Sequence, residues 1–124
     1  MRRNTRIVLI GAAIVVAFDV AASLLLQRFG GSLVWMFLGS GLIYLAVGFV
    51  SGRSGGIPDG ARSGASVAAL DGAVGWPITW VIGTGQVSRI TVAGVVLVLV
   101  TMITIGTAAG TAGAIAARLV PKRH

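Results

Sequence analysis

The chain has 124 residues, of which 56% are hydrophobic and only 10% charged, and nineteen are glycine. Ordinary soluble domains carry about 25% charged residues, so with a mean hydropathy of +0.96 a water-soluble domain is excluded and a single integral membrane domain, residues 1–124, is implied. There is no cysteine, which removes disulfide, thiolate-metal and cysteine-nucleophile chemistry.

Four apolar stretches follow one another, over about 7–26, 33–51, 64–83 and 90–117. A helix needs about 20 residues to cross a hydrocarbon core of roughly 30 Å, and inside lipid the backbone must satisfy its own hydrogen bonds. The expected fold is therefore all-α, a bundle of four transmembrane helices.

The first stretch, Ile7 to Leu26, is interrupted only by Asp19 and Ser23. Its arginines and the Val20-Ala21-Ala22 run imitate a secretory signal peptide. Asp19 beside the cleavage position argues for a retained helix. The second stretch carries Ser40, Gly41, Tyr44 and Gly48, with Gly52 just beyond it. At 100° per residue Gly41, Gly48 and Gly52 share one face.

A turn-rich run, Arg53-Ser54-Gly55-Gly56-Ile57-Pro58-Asp59, follows and is read as part of a loop over 52–63. In the third stretch Gly64 and Gly75 share a stripe with Gly60 and with Asp71. Small residues so spaced let helix backbones approach closely in lipid, so the second and third spans are expected to form a tight antiparallel hairpin. Folding it about Gly56 sets Gly52 opposite Gly60, Gly48 opposite Gly64, and Gly41 opposite Asp71. Folding the first two spans about their short connection, Gln27 to Ser32, sets Asp19 level with Ser40. Pro77 is expected to kink the third span and free the carbonyl of Ala73.

The fourth stretch has two faces. Gly106, Gly110 and Gly113 form a packing surface, within the bundle or against another copy. Thr101, Thr104, Thr107 and Thr111 lie roughly opposite, either lining a polar path or bonding the carbonyl four residues back.

The basic residues set the orientation. Arg2, Arg3, Arg6, Arg53, Arg62, Arg118, Lys122 and Arg123 fall on one side, and only Arg28 and Arg89 on the other. Positive residues stay cytoplasmic, so both termini and the loop over 52–63 are expected there, in a prokaryotic plasma membrane. Trp35, Trp76 and Trp80 would form the outer interfacial belt. Since the cations flank helices, no nucleic-acid surface is implied.

A carboxylate near the bilayer centre costs about 2.5–3.5 kcal/mol on insertion scales. Asp19 and Asp71 are the only acidic residues inside the spans, and no Lys, Arg or His lies within a span to pair with them. They are protonated, solvated by a cavity, or bound to a cation from solution or from a partner chain. The candidate proton or sodium site is Asp19 and Asp71 with Ser23, Ser40 and Tyr44. The alternative is a pair of neutral acids hydrogen-bonded across a helix seam.

Other chemistries lack their residues. The Gly-x-Gly-Asp motif of intramembrane aspartyl proteases is missing before Asp71. The single histidine, His124, is the last residue. The Gly83-Thr84-Gly85 turn lacks the third glycine of a dinucleotide loop. Neither an enzyme nor a cofactor or metal is expected.

Four spans with an acidic residue in the first resemble the small multidrug resistance transporters. That resemblance implies a proton-coupling role for Asp19, although the family carries a glutamate there and its antiparallel members have nearly balanced flanking charge. The stretch Gly48-Phe49-Val50-Ser51-Gly52-Arg53 with Asp59-Gly60-Ala61-Arg62-Ser63-Gly64-Ala65 is similar to the glycine-rich central hairpin of small four-helix prokaryotic membrane proteins of unassigned function. It implies the fold and no activity.

The leading expectation is a non-enzymatic accessory or assembly subunit, working in a homo-oligomer or with other membrane subunits, whose Gly-rich faces carry the partner contacts. The alternative is a small proton- or sodium-coupled transporter or channel using Asp19 and Asp71. A holin-type pore is a third reading, without the usual long charged tail.

Overall fold

A computed structural model describes residues 2–31, 34–75, 77 and 92–122. All its regular elements among these are helical: α1 (Arg3–Phe29), α2 (Val34–Gly55), α3 (Ile57–Leu70), a π-helical turn (Asp71–Gly75) and α4 (Val92–Leu119). Three segments are long and apolar enough to cross a membrane, Arg3–Leu26, Val34–Gly55 and Val92–Leu119. The expected third span runs into residues outside the described ones. So do the expectations for Trp76, Trp80, Arg89, the Gly83-Thr84-Gly85 turn, Arg123 and His124.

Local chemistry sets the helix ends. Gly30 ends α1 with φ 73°, and its N–H closes on the Leu26 carbonyl at 2.8 Å, the left-handed glycine stop. The expected loop over 52–63 is corrected to a single residue. Helix α2 runs through Gly55, Gly56 breaks the path with φ 86°, and α3 starts at Ile57. Only one position in the Gly- and Ser-rich run needs the left-handed region. The others are held helical by packing, which outweighs a propensity cost of about 1 kcal/mol per glycine. Pro58 in the first turn of α3 and Asp59 beside it suit a helix start.

The α2–α3 hairpin is sandwiched between the other two helices. Helix α1 lies against α2, α3 and the π-helical turn, and α4 packs along the hairpin's opposite side. The α4 seam is made of backbone. Gly48 and Gly64 each abut Gly110, Gly64 also meets the Gly106 carbonyl, and Gly52 meets Ala114. A glycine seam running between α2 and α3 alone, with Gly52 on Gly60 and Gly48 on Gly64, is therefore not what forms. Helix α4 inserts its Gly106–Gly110–Gly113 face along the hairpin, and Gly113 reaches the α2 backbone at Leu45 and Phe49.

The α1 seam is made of side chains. Val15, Tyr44, Val47 and Val67 are buried together, and Gly11 lets α1 settle on them: a Cβ there would stand 2.6 Å from Val47 Cγ2 and 3.2 Å from Val67 Cγ2. The four threonines of α4 each donate to the carbonyl four residues back, at 2.7–2.8 Å. Of the two readings of that face, the self-bonded one holds.

Candidate functional site

The polar site lies in the α1 seam. Helix α1 supplies Asp19, α2 supplies Ser40 and Tyr44, and the start of the π-helical turn supplies Asp71. All four are buried, and Asp71 has no exposed surface. Ser40 Oγ donates to Asp19 Oδ1 at 3.4 Å, the pair expected from counting along the first two spans. Tyr44 Oη donates to Asp71 Oδ2. The two carboxyl groups converge beside Gly75.

Gly75 makes their approach possible. A Cβ on it would collide with Asp71 Oδ1 and stand 2.6 Å from Asp19 Oδ2. Two oxygens, one from each aspartate, thus occupy the space that any larger residue would fill. Asp71 Oδ1 is buried with no donor among the described residues. A proton on either carboxyl would let the two groups share a hydrogen bond there.

The π-helical turn is the element that sequence reading did not anticipate. Pro77 comes two residues after it and can give no N–H to the carbonyl of Ala73, which a proline ring at that position crowds. Widening the preceding turn relieves that crowding, and such π turns are recurrent at functional sites. The change in helix type falls at 71–75, the stretch that carries Asp71 and Gly75, and the kink expected at Pro77 itself runs into residues outside the described ones. The signal was legible as a proline six residues after a buried acid.

Two expected placements differ. Gly41 does not face Asp71: it has open space around it, with nothing within 4 Å of a Cβ there. Ser23, one turn beyond Asp19, is fully buried, but its Oγ has no hydrogen-bond partner among the described residues. The site is therefore Asp19, Asp71, Ser40 and Tyr44, with Ser23 beside it and unbonded. Ser51 Oγ, toward the Gly56 end of α2, is a further buried hydroxyl without a partner. Orphaned hydroxyls of this kind are where internal water is found.

No protein-family model, curated protein or solved structure matches the chain.

Proposed function

We propose that this protein is a small ion-coupled membrane protein in which Asp19 and Asp71 together take up and release a proton, or a sodium ion in its place. The observation that carries the reading is the meeting of the two carboxyl groups in the bundle core, without a basic side chain beside them among the described residues. Each charged group buried at this depth costs about 2.5–3.5 kcal/mol, and two adjacent ones repel unless a cation lies between them. Ionisable residues inside membrane spans mark ion pathways and proton relays, and that is their default reading.

The disposition of the glycines also favours this reading over the accessory subunit. Gly48, Gly52, Gly60, Gly64, Gly106, Gly110 and Gly113 are all spent on contacts within the chain, so they are not free to receive a partner. The aspartates likewise have in-chain partners. What remains for an accessory role is the outward apolar surface of α1, α2 and α4, which lipid covers equally well.

In this proposal the chain has four spans in a prokaryotic plasma membrane, and both termini and the Gly56 turn are cytoplasmic, because eight of the ten basic residues gather on that side. It performs no covalent chemistry.

The test is flux. Reconstituted in liposomes under a pH or sodium gradient, the wild type should discharge the gradient, and Asp71→Asn should reduce the rate at least tenfold. Asp19→Asn should do the same. Absence of flux, together with co-purification of larger membrane subunits, would replace this reading with the accessory one.

A further inference from the structure

At the end of the bundle where α2 and α4 finish and α3 begins there is a cavity of about 420 Å³. Three cations line it: Arg53 from the last turn of α2, Arg118 from the last turn of α4, and Lys122 from the segment after α4. Gly56, which precedes α3, lines it too, and no carboxylate does among the described residues. The one acidic residue of α3's first turn, Asp59, has its carboxylate against Gly55. It accepts a hydrogen bond from Asn4 Nδ2 at 3.1 Å and lines a separate cavity between α1 and α3.

Cations at the C-terminal ends of α2 and α4 complement those helix dipoles, which accounts for the presence of Arg53 and Arg118. Arg118 reaches across to the turn between α2 and α3. Its guanidinium lies over Gly56, with Nη2 3.6 Å from the position of a Cβ there. That is the start of α3, the positive end of a helix, and no side chain caps it. Arg53 is held beside the cavity by the Phe49 ring, its guanidinium carbon 5.8 Å from the ring centroid, so less freedom is lost when it binds.

We propose that this cavity binds a phosphate-bearing anion, with Arg53, Arg118 and Lys122 on its oxygens and the start of α3 adding its dipole. Arginine forks match phosphate oxygens bidentately. Basic pockets between membrane helices take anionic headgroups. The same group arrives either on an anionic lipid or dissolved in water, and the chemistry of the cavity suits both.

The experiment places the purified chain in nanodiscs of phosphatidylcholine alone, of phosphatidylcholine with phosphatidylglycerol, and of phosphatidylcholine with inorganic phosphate in the buffer. The readouts are the thermal unfolding midpoint and the lipid retained per chain by native mass spectrometry. One of the two phosphate sources should raise the wild-type midpoint above that in phosphatidylcholine alone. Apparent affinity should fall about tenfold in Arg118→Gln and Arg53→Gln, as expected for one lost charge-assisted pair. Lys122→Gln lies beyond the helices and tests the site even if α4 tolerates no change at Arg118. Arg3→Gln removes the same charge away from the cavity and should keep the full response.

A response to phosphatidylglycerol alone assigns a lipid headgroup, and a response to inorganic phosphate alone assigns a free ion. An equal loss in Arg3→Gln would reduce the effect to diffuse attraction and overturn the proposal. So would a wild type that answers neither source.

Discussion

Gly41 and Gly48 share one face of α2, two turns apart, yet alanine at the two sites should act in opposite directions. At Gly48 a Cβ would stand 2.7 Å from the carbonyl carbon of Gly110, with that residue's Cα and carbonyl oxygen closer still. Non-bonded carbons sit at about 3.5–4.0 Å. The obstacle is backbone, so no rotamer change relieves it, and α4 must withdraw by about 1 Å along a seam that also includes Gly52, Gly60 and Gly64. Overpacking of this kind costs about 1–3 kcal/mol, and at a backbone–backbone contact the upper half of that range applies. The helix-propensity gain of Gly→Ala, about 1 kcal/mol at most, offsets part of it. At Gly41 the added methyl meets open space, and only the propensity gain remains. Gly48→Ala should therefore be less stable than Gly41→Ala by about 2–3 kcal/mol, a difference of about thirtyfold to 150-fold in the unfolding constant. Reversible unfolding in mixed micelles, titrated with dodecyl sulfate and followed by helicity, measures it. Equal stability of the two variants would refute the backbone seam and return α4 to the bundle's periphery.

Tyr44→Phe removes the donor to Asp71 Oδ2 without changing shape, leaving a buried acceptor unmet. It should cost about 1–3 kcal/mol in the same unfolding assay, whereas Ser40→Ala, which loses only a 3.4 Å bond, should cost under about 1 kcal/mol. Replacing Thr101, Thr104, Thr107 and Thr111 together by valine should leave liposomal flux unchanged, because each hydroxyl is already bonded to its own helix. A fall in flux comparable to that in Asp71→Asn would move the ion path from the α1 seam to α4.

Much of this arrangement was legible because depth along a helix is a count. Asp19 and Ser40 meet as the count from the Gln27–Ser32 connection requires. The count about Gly56 put Asp71 at the depth of Gly41, and the residue that reaches it is Tyr44, three positions on. Helical side chains lean toward the N-terminus, so the long tyrosine carries its hydroxyl back about one turn, to the level the count specified. What counting could not supply was facing. Stripes on α2 and α3 identify surfaces that admit a backbone, but not which backbone, and α4 offered a matching stripe. The π-helical turn was hidden for a different reason. It is a response to crowding by Pro77, and hydrophobic pattern carries no trace of a hydrogen-bond ladder slipping by one residue.

The two seams differ in a way that bears on how any ion could reach the site. The α4 seam closes with carbonyls and α-carbons in contact at three levels of the hairpin, and such an interface has no side chains through which to adjust. The α1 seam closes through Val15, Val47 and Val67 on one side of the carboxyl pair and through hydroxyls and carboxyls at the pair itself. Its polar contacts depend on the charge state of Asp19 and Asp71. In the proposed function, charging both carboxyls would put two like charges across that seam. Any opening driven by the site must then part α1 from the α2–α3 hairpin, leaving the hairpin and α4 to move as one body. The buried but unbonded hydroxyl of Ser23 lies on the moving side and that of Ser51 on the fixed side.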